Sequence, residues 1–301
     1  MSPTIECIPN FSEGRDQTII RGLEDIVRAI EGVHLLHSTS DHDHNRTVLT
    51  FAGDSEAVQE TAFQLIKFAS ENIDMTTHRG VHPRIGATDV VPFVPLDGAT
   101  MADCITIAQT LGKRVGDDLN VPVYLYANAT TRPERKNLAD IRRGQYEGLA
   151  KKIHLPEHQP DFGPAQLGTA GAVVIGARNP LIAYNVYLTT DDVSIAKNIA
   201  RAIRGSSGGL VGVKALGLLV NGHAQVSMNL TDYQRTPLYQ VMALIQLEAQ
   251  RYGVQIHSSE LIGLIPRDAL TQSALWYLQL PDSAHDQILE NRLSESKPQN
   301  S

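Results

Sequence analysis

The chain has 301 residues, of which 42% are hydrophobic and 20% charged, and a net charge of −7; this describes a globular protein with a substantial core and length for two ordinary domains. No apolar run reaches membrane-spanning length, the N-terminal MSPTIECIPN lacks the regions of an export signal, and no basic tract carries interleaved aromatics. A membrane, an export route and a nucleic-acid partner are therefore disfavoured, and a cytoplasmic setting is expected. Cys7 and Cys104 sit in apolar contexts without metal-ligand spacing and read as buried free thiols.

In chain order, residues 4–9 read as a strand that ends at PNFSEG, and GRDQTIIRGLEDIVRAI reads as a helix with Ile19, Leu23, Ile26 and Ile30 near one face. VHLLHSTS and RTVLTFAG are short strands separated by the polar turn SDHDHN, and Glu56 to Ala69 follows helical spacing with Ser55 as its expected cap. DVVPFVP is a strand whose Pro92 and Pro95 each remove a backbone donor, which predicts an irregular or edge position. A helix near 101–118 and the strand VPVYLYA follow, and residues 127–170 read as a polar connector.

A second series opens with AVVIGARNPLIAYNVYLTT and continues through a helix at 191–204, the run GSSGGL, strands at VGVKALGLLV and AQVSMNL, and a helix near 236–252. Both halves thus show strand, helix, strand, strand, helix. This echo predicts an α+β chain of two similar α/β sandwich subdomains, 1–170 with the connector and 171–301, each a mostly antiparallel sheet with helices on one face. The tail after Leu293 is polar and expected to fray.

Neither a dinucleotide-binding GxGxxG nor a phosphate-binding GxxxxGK[ST] motif occurs, and HExxH and CxxC are also missing. GSSGG at 205–209 is read equally well as a plain turn or as an anion contact. Asp41, His42, Asp43 and His44 alternate in a turn and invite a metal, but a solvated or substrate-facing turn needs no ion to explain it, and no metal is expected. His34 and His37 read as ordinary strand residues.

The stretch HRGVHPRIG is more informative. Pro83 pushes His82 toward an extended backbone, Gly80 and Gly86 release the chain on either side, and Arg79 and Arg84 place two donor forks beside the imidazole. Histidine suits proton transfer because both protonation states are accessible near neutral pH. On chemistry alone a proton carrier and a structural or binding histidine both stay open.

Several ordered segments resemble the formiminotransferase domain family: ECIPNFSEG, HNRTV, ASENIDM, HPRIGATDVVPFVP, VPVYLY, RRGQYEGL, IRGSSGG, AQVSMN and SELIGLIP. The resemblance implies two subdomains with a cleft between them, a homodimer, and transfer of a formimidoyl group from N-formimidoyl-L-glutamate to N5 of tetrahydrofolate in histidine breakdown. No cyclodeaminase domain is expected. His82 takes the family's catalytic position, and the segment Gly163, Pro164, Leu167, Gly168, Thr169, Ala170 and Gly171 resembles its folate-contacting stretch, with a plain interdomain hinge as the other reading. Both substrates carry glutamate carboxylates, and the folate is possible as a polyglutamate; Arg79, Arg84, Arg178 and Arg204 are candidates for those anions, and Arg46 is either a ligand contact or an ion-pair partner. Asn10 and Asn185 offer amides to polar substrate edges.

The sequence also departs from the family. Val81 stands where glutamate commonly precedes the catalytic histidine, His37, Ser38 and Thr39 stand where an acidic residue is common, Tyr187 replaces asparagine, and the folate segment is one residue shorter. A carboxylate orienting His82 would have to come from Asp41, Asp43 or Asp89. These changes bear on the donor and on turnover, leaving another one-carbon donor, or folate binding without catalysis, as the alternatives.

Overall fold

The computed structural model describes residues 3–296, and the chain divides into two compact units between Asn179 and Pro180. The first unit contains β1 (Thr4–Cys7), β2 (Asn10–Phe11), α1 (Gln17–Ala29), β3 (Val33–Asp41), β4 (Arg46–Asp54), α2 (Ser55–Asn72), β5 (Thr88–Pro95), α3 (Met101–Leu119), β6 (Val123–Ala127), α4 (Leu138–Ile141), α5 (Gln145–Ala150) and β7 (Val173–Ala177). Its described residues form a seven-stranded sheet in which β3 pairs β4, β1 and β2 lie in line between β4 and β5, and β7 and β6 complete the far side. Pairing is antiparallel except β5–β7 and β7–β6.

Local chemistry explains the helices. Ile20, Leu23 and Val27 put the buried stripe of α1 at three- and four-residue spacing, and the Asp16 side chain caps it by accepting from Thr18 and Ile19. The cap of α2 is Asp54 rather than Ser55, its carboxylate accepting from the Ala57 amide at 3.0 Å, so Ser55 is already helical. Thr100 and Asp103 form a reciprocal capping box on α3. These helices bury one face of the sheet around Ile5, Cys7, Phe11, Phe51, Phe93 and Ile175. Both cysteines are free and buried in this unit. The alternation puts Glu6, Asn10, Arg46 and Arg178 on the other face, part of which is covered by Leu138, Ile141 and Leu149 of α4 and α5, packed with Tyr124, Tyr126 and Val174.

Two expectations change here. β5 is an interior strand, between β1/β2 and β7, despite its prolines. Pro92 falls opposite the break between β1 and β2; the Ile8 amide donates to its carbonyl at 3.2 Å, and the Asn10 side-chain amide, at 2.8 Å, satisfies the Ile8 carbonyl that a proline cannot serve. The irregularity is a register shift against β2 at Asn10 and Phe11. The first unit also runs past residue 170, because Val173–Ala177 pairs with β5 and β6 and belongs to that sheet.

The second unit contains β8 (Ile182–Leu188), α6 (Val193–Ile203), β9 (Val213–Val220), β10 (His223–Leu230), α7 (Leu238–Arg251), β11 (Ile256–Ile262), α8 (Arg267–Leu278) and α9 (Leu289–Ser296). Its antiparallel sheet runs β11-β8-β10-β9 and packs Ile182, Val186, Val226 and Met228 against Ile199, Ile203, Val241 and Ile245 of α6 and α7. Of the tail expected to fray after Leu293, the helix carries the backbone to Ser296, and 297–301 lie outside the described residues. Counting β1/β2 as one strand, both units are βαββαβ with lateral order fourth, first, third, second, the first unit adding β7 and β6 beyond its fourth strand.

Candidate active site

The polar face of the first sheet gathers around Asp89. Its carboxylate is fully buried and accepts from the Ile85 amide at 3.0 Å, Arg46 Nη1 at 2.8 Å, Arg142 Nη2 at 2.5 Å and Arg142 Nε at 3.4 Å. Burial pushes the Asp89 carboxyl up, but the two guanidinium groups outweigh it and hold the acid ionised, below its ordinary range. Arg46 is buried as well, and burial lowers it to about 10. Its remaining bonds go to the Asn10 side-chain oxygen at 3.2 and 2.7 Å. Two cations and one anion thus share a largely buried site with a net positive charge.

His82 stands in that positive field. Its Nδ1 lies 2.7 Å from the Pro83 carbonyl, which only accepts, so Nδ1 carries the hydrogen and Nε2 keeps its lone pair. Burial, then Arg46 and Arg142, pull the imidazole down to about 3, with Asp89 and the Pro83 carbonyl opposing. The ring is therefore a neutral base at neutral pH. Among the described residues no carboxylate hydrogen-bonds it. Asp41 binds the His44 ring nitrogen at 2.9 Å, and that ring is tilted 6.2 Å from the His82 ring; Asp43 is exposed, its backbone oxygen accepting from the Val81 amide. Burial raises the Asp41 carboxyl, but the His44 amide and ring more than offset it and leave it lowered. No group of three or more His, Cys, Asp or Glu among the described residues is arranged to hold a metal.

The loop bearing His82 is held by packing. A Cβ on Gly80 would meet the His44 carbonyl oxygen at 2.3 Å and one on Gly86 the Ala172 carbonyl oxygen at 2.0 Å, so close backbone approach, rather than release of the chain, requires these glycines. His78 accepts from Arg84 Nε at 3.1 Å through Nδ1 and donates through Nε2 to the Asn45 carbonyl at 3.2 Å; burial lowers its pKa and keeps it neutral. Arg84 continues to Gln145 at 2.8 Å and, as a fork, to Glu147 at 2.9 and 2.7 Å, and holds that carboxyl at about 2.

Arg84 and Asn10, both candidates for substrate contacts, are thus engaged by protein partners, and Arg46, open between a ligand contact and an ion pair, is the ion-pair partner of Asp89. Arg79 is exposed and donates to the His78 carbonyl at 2.8 Å; Arg178, half-buried, donates to the Asn179 carbonyl at 3.0 Å. Asn185 and Arg204 belong to the second unit, where Asn185 and Tyr187 both donate to Glu260, at 3.4 and 3.0 Å, and Arg204 donates to Ser207 at 2.7 Å. Val81 is 73% exposed, Thr39 pairs Val48 across the sheet, and His37 Nδ1 is buried without a hydrogen-bond partner among the described residues. The sequence reading did not single out Arg142, which spends Nε and Nη2 on Asp89 and leaves Nη1 without a protein partner among the described residues. Its signal was RRGQYEGL, which that reading used only as part of the resemblance.

The segment 163–171 is stitched to the same end of the sheet. Thr169 O accepts from Met75 at 2.8 Å, Ala170 O from Ala87 at 2.8 Å, and Gly171 bridges Gly86. It lies inside the first unit, not at the division between the units. Gly163 packs on the Val121 carbonyl, whereas Gly168 has open space where a side chain would project.

Residues 4–178 match the formiminotransferase domain, N-terminal subdomain, and residues 183–292 match the formiminotransferase domain. The chain belongs to the formiminotransferase domain family. The chain is 48% identical to a glutamate formimidoyltransferase of Streptococcus pyogenes serotype M1, covering 97% of this chain and 99% of that one, and 48% identical to one of Thermoplasma acidophilum, covering 97% and 98%. A formimidoyltransferase-cyclodeaminase of Mus musculus is 41% identical over 92% of this chain but only 53% of its own length. This formiminotransferase-family chain is an enzyme of the formimidoyl-transferring, one-carbon class.

Proposed function

We propose that the chain transfers the formimidoyl group of N-formimidoyl-L-glutamate to N5 of tetrahydrofolate, with His82 as the proton carrier. The observation that carries the reading is the His82 tautomer: Nδ1–H is tied to the Pro83 carbonyl, and Nε2 is a free acceptor beside Arg46 and Arg142. N5 attacks the formimidoyl carbon and forms the new N–C bond; His82 Nε2 takes the N5 proton and delivers it to the glutamate nitrogen as the old C–N bond breaks. Each positioned proton transfer is worth roughly a hundred-fold or more in rate, and alignment of the two substrates adds to it.

The arginine field also has a part. An imidazole at about 3 is neutral but weakly basic; a bound donor's carboxylates would offset Arg46 and Arg142 and raise its basicity as the reactive complex forms. The free Nη1 of Arg142 offers a fork edge for such a carboxylate. Gly168 and its neighbours would face the folate. A homodimer in the cytoplasm completes the reading.

The test supplies both substrates and follows 5-formimidoyltetrahydrofolate. Wild-type protein is expected to form it, and His82→Gln to lose about 10²- to 10⁴-fold in rate while tetrahydrofolate binding persists. Undiminished turnover in that variant removes His82 from the mechanism. Product from a formyl donor alone, or folate binding without product from either donor, would replace the proposed reaction by one of the two alternatives.

A further inference from the structure

Glu6 lies on the same sheet face as the His82 site and has no role in the mechanism above. Ile5, Cys7 and Phe11 point into the helix-covered core with no exposure, so alternation sends Glu6 and Asn10 to the opposite, polar face. Glu6 sits opposite Ala52 and Val94 in the ladder, two side chains that offer it no donor. It is half-buried, and among the described residues its carboxylate makes no hydrogen bond and no ion pair. Asp89 is met by four protein donor atoms and Glu6, which keeps contact with solvent, by none among the described residues.

A carboxylate only accepts, and leaving it partly withdrawn from water without donors is unfavourable, so the site is suited to a ligand that brings N–H groups. Burial raises the Glu6 carboxyl, with Arg178 pulling the other way. Tyr126 feels both Arg178 and Arg142, Arg142 also acts on His82, and Arg178 acts on Glu6, so the fields of the two arginines overlap on the polar face that carries both sites. Beneath them Gly176 has no side chain: a Cβ there would meet the Tyr126 ring at 2.3 Å.

Resting on the tetrahydrofolate reading above, we propose that Glu6 binds the far edge of the pterin, accepting the N3–H and the 2-amino N–H of the pyrimidinone ring side by side. Glu6 and Asn10 are four residues apart on in-line strands, about 13 Å at a strand's rise, and Asn10 holds Arg46 beside His82. That span suits a fused bicycle with a hydrogen bond of roughly 3 Å at each end, one at N5 and one at the pyrimidinone edge. A formamidine, whose donors sit on the reacting carbon itself, is too short to reach Glu6 from the proton carrier. Arg178 opposes the rise that burial causes in the Glu6 carboxyl and so favours the ionised form that such a donor pair needs, without cancelling that rise.

The experiment compares wild type with Glu6→Gln, which keeps the side-chain shape. The Michaelis constant for tetrahydrofolate is expected to rise ten- to a hundred-fold, with that for N-formimidoyl-L-glutamate unchanged within two-fold. In parallel, fluorescence titration measures tetrahydrofolate and its 2-desamino analogue on both proteins: wild type should bind the analogue more weakly by the same factor, and E6Q should bind the two alike. An unchanged folate constant, or a rise confined to the glutamate substrate, overturns the assignment. If wild type forms no product, the transfer reading fails, and the titrations still decide Glu6. If E6Q does not fold, equal wild-type affinity for the two pterins is sufficient to reject the proposal.

Discussion

At the scale of the residue, the chemistry depends on what surrounds His82 more than on His82 itself. Its proton is fixed on Nδ1 by the next residue's carbonyl, and its basicity is set by burial and two guanidinium groups bound to one buried aspartate. Glutamate at position 81 would add an opposing negative charge; Val81 adds none, so the arginines act on the ring unopposed from that side. Replacing Arg142 by Gln removes one of these charges and lets Asp89 act more strongly, so the His82 pKa should climb from about 3 toward the ordinary 6.5, as read by NMR titration of the ring. No movement would mean that Arg142 contributes nothing and that burial and Arg46 depress it. The same shift affects stability: with its folded pKa below the unfolded value, His82 binds a proton more readily in the unfolded chain, so its contribution is complete above 6.5 and is withdrawn as pH falls toward 3. Arg142→Gln narrows that window, and thermal midpoints of variant and wild type should converge between pH 5 and pH 4, roughly the middle of the window.

At the scale of the element, the loops of the site are defined by contacts with the ends of strands. Gly171 has a left-handed backbone (φ +71°), and a Cβ there would lie 2.4 Å from the Ile85 carbonyl oxygen, whereas Gly168 has neither constraint. Gly171→Ala should therefore destabilise the protein by more than about 1 kcal/mol, seen as a lower urea midpoint. Gly168→Ala should leave the midpoint unchanged and weaken folate binding, if that face of the segment meets the ligand; unaltered binding would restrict the segment to a structural role. Much of this level was legible in the sequence. The apolar spacing of α1 and α2 gave both helices to within a few residues, although Asp54, not Ser55, caps the second. DVVPFVP reads as a strand that is irregular or at an edge, and it is irregular but interior; local pattern could not choose between the two, because the donor that replaces Pro92 is a side chain two residues beyond its partner. The HPR loop was recognised by composition, but Arg84 could not be told from a substrate-binding arginine until its partners Glu147 and Gln145, some sixty residues away, were placed.

At the scale of the whole molecule, the echo between the halves is a shared βαββαβ order with the same lateral arrangement of four strands. What the sequence left unresolved is which sheet receives the apolar run AVVIGA: its composition suits any interior strand, and only its pairing with β5 and β6 assigns it to the first unit. The strand HSSELI near the other end escaped notice because its side chains are mostly polar and exposed, as the pattern of β11 shows. The division therefore falls between Asn179 and Pro180, and no strand pairing crosses it among the described residues. A fragment of residues 1–179 retains a complete sheet and should melt cooperatively on its own, followed by circular dichroism. A fragment of residues 1–170 lacks β7, which leaves the ladder edges of β5 and β6 unpaired and removes Val173, Ile175 and Ala177 from the core. Burying three such side chains is worth several kcal/mol at roughly 25 cal/mol per Å², a large part of the stability of a domain this size. The shorter fragment should therefore be unfolded or aggregated where the longer one is folded. Equal melting of the two would mean that β7 is dispensable to the first unit and that the division lies nearer residue 170.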